Sequence, residues 1–138
     1  MEKKDLKPAG VFKYFEEICQ VPRPSKKEEK MIAYLKAFGA KHNLETKVDE
    51  AGNVLIKKPA TPGKENLQTV VLQSHIDMVC EKNNDVQHDF LTDPIETEID
   101  GEWLKAKGTT LGADNGIGVA TELAILADDS IEHGHLVC

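Results

Sequence analysis

The chain has 138 residues, with 17 lysines and arginines against 24 aspartates and glutamates, and a formal net charge of −7. This length supports one domain with a real core, and the acidic balance excludes nucleic acid or an anionic membrane surface as the main partner. No stretch approaches the roughly 18 apolar residues a membrane helix needs, and residues 1–8 lack the apolar run of a signal peptide. Three cysteines, Cys19, Cys80 and Cys138, form no C-x-x-C pair; they read as reduced thiols of a soluble, cytoplasmic protein.

In chain order, Val11, Phe12, Phe15, Ile18 and Cys19 recur at helical spacing and predict a first helix over residues 8–21, stopped by Pro22 and Pro24. Ser25-Lys26-Lys27-Glu28 has the pattern of a capping box. The helix it would open carries Met31, Ile32, Leu35 and Phe38 on one face and ends near residues 39–42. Two short strands follow at 45–49 and 53–57, joined at Glu50-Ala51-Gly52, and then a polar loop at 59–66. Residues 69–74 form a continuous apolar run, as expected of a strand buried on both faces. After an irregular polar stretch at 83–93, residues 95–99 alternate, Asp100-Gly101 turns, and Trp103-Leu104-Lys105-Ala106 returns as a hairpin. Ile117, Ala120, Leu123, Ala124 and Ala127 mark a third helix, ended by Asp128-Asp129-Ser130, and Leu136-Val137 begins a last strand. The alternation predicts an α/β fold, an α/β/α sandwich with a mixed sheet.

Two clusters carry chemistry. Ser74-His75-Ile76-Asp77-Met78 ends the apolar run of the buried strand. Residues i and i+2 of an extended segment point to the same side, so Asp77 can reach the His75 ring. An imidazole holds a divalent metal well when its second nitrogen donates to a carboxylate. The second cluster, Gly108-Thr109-Thr110-Leu111-Gly112-Ala113-Asp114-Asn115-Gly116-Ile117-Gly118, sets Asp114 in a glycine-rich turn before a helix. A carboxylate fixed there could bridge two metals roughly 3.5–4 Å apart. The plainer alternative is that Asp114 or Asn115 caps the helix.

Leu72-Gln73-Ser74-His75-Ile76-Asp77-Met78-Val79-Cys80-Glu81-Lys82 resembles the first metal motif of the bacterial aminoacyl-histidine dipeptidases, members of the two-zinc aminopeptidase and carboxypeptidase superfamily. The segment from Gly101 to Gly116 resembles the part bearing that family's bridging aspartate, and Ile18-Cys19-Gln20-Val21-Pro22-Arg23-Pro24-Ser25 resembles its N-terminal region. The resemblance implies His75 as ligand to one metal, Asp114 as the bridge, Asp77 as the residue orienting His75, and two divalent ions, zinc foremost, as cofactors. It also implies a dipeptide substrate and a strained or cis Asp114-Asn115 bond. In that family a Glu-Glu pair on the next strand supplies the general base and a further ligand. No Glu-Glu pair follows Asp114 here. Residues 1–138 are therefore expected to be the N-terminal part of a metallopeptidase catalytic domain, without the lid or dimerisation domain.

Competing readings are a non-catalytic remnant that binds metal weakly or not at all, and an unrelated α/β binding module in which His75 and Asp114 are structural. Uncovered apolar surface beside Leu136-Val137 predicts self-association or a homodimer. The other polar candidates read as bland: His42 solvated, His88 in a loop, His133 and His135 in a surface turn, Cys19 in the core, and Cys80 only a minor candidate nucleophile.

Overall fold

The first helix forms where the periodicity places it. In the computed structural model, which describes residues 1–138, a short 3-10 turn (Lys3–Asp5) precedes helix α1 (Ala9–Cys19). Pro8 sits at its N-cap, where a missing N–H costs nothing. Tyr14, Phe15, Ile18 and Cys19 are buried from it. Fully buried side chains of this size each contribute about 1.5–3 kcal/mol of transfer free energy. Helix α2 (Glu29–Lys41) buries Met31, Leu35 and Phe38 and packs on strands β1 (Glu45–Val48) and β2 (Val54–Lys58), which pair antiparallel.

The capping box at residues 25–28 does not form. The N-cap of α2 is Glu28, without a side-chain hydrogen bond. The Ser25 hydroxyl instead donates to the carboxylate of Asp77, and the Lys26 N–H donates to Glu28 Oε1 at 2.7 Å. The Ser25 N–H, which the box would offer to Glu28, donates to Met78 O at 3.3 Å, and the hydroxyl turns to Asp77, an ionised acceptor that makes a strong hydrogen bond.

The sheet is mixed, in the order β1-β2-β6-β3. Strand β3 (Val70–Val71) runs parallel to β6 (Leu136–Val137), which runs antiparallel to β2. The buried strand expected over residues 69–74 is thus two residues long and lies at the sheet edge, with Val70 and Val71 exposed. Its only ladder partner is β6, and two residues of β6 can pair only two of β3. Strands β4 (Thr97–Asp100) and β5 (Trp103–Ala106) make the expected hairpin. It is tied to α1 by the Ile95 N–H on Cys19 O at 2.8 Å and the Thr97 hydroxyl on Glu16 Oε1 at 2.6 Å.

Helix α3 (Ala113–Ala127) packs along α1. Its buried side is Gly116, Val119, Ala120, Leu123 and Leu126, whereas Ile117, expected inside, is exposed. Residues Asp114 and Asn115 depart from helical dihedrals, so the regular turns start at Gly116. The result is a mixed α/β fold, with one core joining all three helices to Ile56, Met78 and Ile95. No helix is long and apolar enough to cross a membrane.

Candidate functional site

The first cluster leaves the sheet just after β3 and runs between two supports. On one side, the Met78 N–H donates to Arg23 O at 3.0 Å and the Ser25 N–H to Met78 O at 3.3 Å. On the other, the Thr110 N–H donates to Glu81 O at 2.9 Å and its hydroxyl to Val79 O at 2.8 Å. The segment bearing His75 is therefore stitched both to the loop after α1 and to the turn before α3.

That turn is built around Gly112, whose φ of 74° lies in the left-handed region. A Cβ there would also fall 2.6 Å from the Arg23 guanidinium. Asn115 then caps the regular helix: its side-chain oxygen accepts from the Gly118 N–H at 3.0 Å. The cap role thus goes to Asn115 and leaves the Asp114 carboxylate unused by the helix and exposed. The Asp114-Asn115 peptide is cis, as the resemblance implied.

The structure brings His75, Asp77 and Asp114 together. His75 Nε2 lies 2.9 Å from Asp114 Oδ1, and Nδ1 lies 2.9 Å from Asp77 Oδ1 and 3.2 Å from Asp77 O. With carboxylates on both nitrogens, the ring satisfies both only by donating twice, as the imidazolium. The hydrogen bond to Asp114, helped by Asp77, accordingly raises the ring's pKa above its ordinary value against the opposing effect of burial. The Ser25 hydroxyl, and next His75, hold the Asp77 carboxyl below the usual range despite partial burial.

As a metal cradle the set is partial. Nε2 of His75 and the oxygens of Asp114 are suitable donors that converge, and Nδ1 is held by a carboxylate, the arrangement that prepares an imidazole to ligate. No group of three or more His, Cys, Asp or Glu side chains is placed to hold a metal ion together, and a closed zinc site needs four ligands. The donors fit part of a metal site.

Two residues at this site were missed by sequence reasoning. Arg23 is 2% exposed, and its guanidinium donates to Ile76 O (3.2 Å), Asp77 O (3.3 Å) and Gly112 O (2.7 Å). Ser25 was assigned to a helix cap. The signals in the sequence were an arginine between two prolines and the resemblance of residues 18–25 to the family's N-terminal region, neither of which assigns a role to either side chain.

Burial pushes the Cys19 thiol up to about 12 and the Cys80 thiol upward as well, the opposite of an activated nucleophile. His42 is not freely solvated: its ring packs on Phe38 at 4.5 Å between centroids, with Nε2 buried. His88 packs on Phe90 in the same way, at 4.4 Å. His133 is tied down through Thr61, its N–H donating to the threonine hydroxyl at 2.9 Å, while Nδ1 donates to Gly134 O at 2.6 Å.

A cleft of 580 Å³ opens beside the site, lined by Val54 and Ile56 of β2, residues 72–77, Val119 and Leu123 of α3, and Cys138. Glu122 of α3 faces it half-buried and accepts from the Ser74 hydroxyl at 3.0 Å.

No protein-family model matches the chain. Individual proteins do. The cytosol non-specific dipeptidase of Escherichia coli is 51% identical over 135 residues, which is 98% of this chain and 28% of that protein. The crystal structure of aminoacylhistidine dipeptidase from Vibrio alginolyticus superposes with a TM-score of 0.95 at 52% identity, over 99% of this chain and 28% of that one. The chain is similar to these dipeptidases over nearly its whole length. It spans little more than a quarter of theirs. More distant structures, a tripeptidase from Staphylococcus aureus (TM-score 0.73) and the aminopeptidase PepT from Bacillus cereus (0.74), each 22% identical over 93% of the chain, share the fold.

Proposed function

We propose that this chain is the front portion of a two-metal dipeptidase catalytic domain, cytoplasmic, acting on dipeptides of the Xaa-His kind among others. The observation that carries the reading is the convergence of His75 Nε2 and Asp114 Oδ1 at 2.9 Å while Asp77 holds Nδ1. The kinship with two dipeptidases over the full chain supports it.

His75 would hold metal through Nε2 once that nitrogen has lost the proton it shares with Asp114, and Asp114 would hold the two ions through its carboxylate. Asp77 keeps the remaining ring proton on Nδ1 and so sets the tautomer that can ligate. Bound divalent metal, zinc in this reading, supplies a Lewis acid for the scissile carbonyl and a water acidic enough to ionise near neutral pH. The resemblance assigns the general base, the remaining ligands and the lid to sequence beyond these residues. The cleft beside the site is lined by Val54 of β2 and by Gln73 and Ser74.

With two donors, the isolated chain holds zinc weakly and does not hydrolyse dipeptides. The test titrates zinc calorimetrically into the chain and into its His75→Ala and Asp114→Ala variants, alongside an assay with a Xaa-His dipeptide. Weak binding lost in both variants supports the reading. Equal heats in all three chains overturn the site, and turnover above the metal-only background would mean that a residue here replaces the absent glutamate.

A further inference from the structure

We infer that residues 23–25, the loop after α1, are the positioning device that sets the His75–Asp114 geometry, Arg23 through the main chain and Ser25 through the Asp77 carboxylate. Only the zinc readout below rests on the metal-site reading.

Arg23 is among the most buried side chains, yet its guanidinium bonds to main-chain carbonyls alone: Ile76 O and Asp77 O through Nη1, Gly112 O through Nη2. A buried charge is costly unless it is fully hydrogen-bonded. Here one planar fork spans the two segments whose separation defines the site, touching the residue after His75 on one side and the residue two before Asp114 on the other. Lysine, a single point on a flexible stem, cannot reproduce that span. The space is also reserved for it, since a Cβ on Gly112 or Gly116 would lie 2.6 or 2.7 Å from Nη2.

Ser25 acts on the other half. Its hydroxyl donates to Asp77 Oδ2, leaving Oδ1 for the His75 Nδ1–H at 2.9 Å. The carboxylate is thus clamped by one partner on each oxygen and cannot turn away from the ring. Ser25 is exposed, so this contact adds nothing to the core, and its loss leaves packing intact. The loop itself is registered on the segment by the Met78–Arg23 and Ser25–Met78 main-chain bonds.

The experiment uses the 138-residue chain, uniformly 15N-labelled so that both the His75 ring nitrogens and the backbone amides are seen, read first without metal. At alkaline pH, where the ring is neutral, Ser25→Ala should lower the fraction of His75 in the Nδ1–H tautomer and weaken zinc binding roughly tenfold, with an unchanged melting curve. Ser25→Thr, which keeps the hydroxyl, should restore both. In Arg23→Lys, the amide resonances of residues 76–78 and 112–114 should shift together while those of α2 stay. Wild-type tautomer and affinity in Ser25→Ala would overturn the role of Ser25. Unmoved or singly moved segments in Arg23→Lys, or its global unfolding, would overturn that of Arg23 in favour of a core role. If the parent chain binds no zinc, the metal reading falls while the tautomer and amide shifts still decide this inference.

Discussion

Although they lie 39 positions apart in the chain, Nε2 of His75 and Oδ1 of Asp114 meet at 2.9 Å. Neither residue achieves this by its own local conformation. His75 is placed by a segment bonded on both flanks, and Asp114 by a turn in which Asn115 has taken over the capping of α3.

Because Asp77 holds the ring nitrogen that does not face Asp114, Asp77→Ala should reduce zinc affinity about 10- to 100-fold, the usual cost of losing the carboxylate behind a ligating histidine. Calorimetric titration of the folded variant measures it. Unchanged affinity would refute the orienting role.

Gly112→Ala should destabilise the chain, because αL geometry costs a β-carbon about 1 kcal/mol and the new methyl would meet the Arg23 guanidinium and the Met78 sulfur. Urea unfolding followed by circular dichroism tests this. A midpoint equal to the parent's would mean that the turn relaxes without cost.

Glu122 carries a pH dependence. Burial raises its carboxyl pKa, and the Ser74 hydroxyl offsets this only in part. The folded state therefore binds this proton more tightly than the unfolded state, so stability is lost as pH rises from the ordinary glutamate value, near 4.3, through the raised one. Glu122→Gln should be more stable than the parent at pH 7, with the difference shrinking toward pH 4. Parallel stability curves for the two chains would exclude Glu122 as the source.

Strand β3 is an unpaired edge with Val71 68% exposed and Leu67 54% exposed beside it. Such edges pair with other chains. The chain should sediment as concentration-dependent oligomers, and Val71→Lys should return it to monomer. A parent chain that stays monomeric at all concentrations rules out this association.

The sequence by itself determined the local elements: helices where apolar residues recur at helical spacing in α1 and α2, and the hairpin where Asp100-Gly101 interrupts alternation. It also marked His75, Asp77 and Asp114 as the residues to watch, through the two clusters occurring together and through the family resemblance, since His-x-Asp alone is common by chance and a carboxylate among glycines can simply cap a helix. Tertiary structure decided what depends on distant partners. Ser25 had a reasonable local partner in the first turn of α2, but its N–H and its hydroxyl are taken by Met78 O and by the Asp77 carboxylate, more than 50 positions along the chain. The apolar run at 69–74 looked like a buried strand, yet strand length and burial are set by the neighbours available to pair, and only two residues of β6 are. Arg23 was invisible for the same reason. Nothing near it in sequence accepts its guanidinium; the three carbonyls that do converge on it only when the chain has folded.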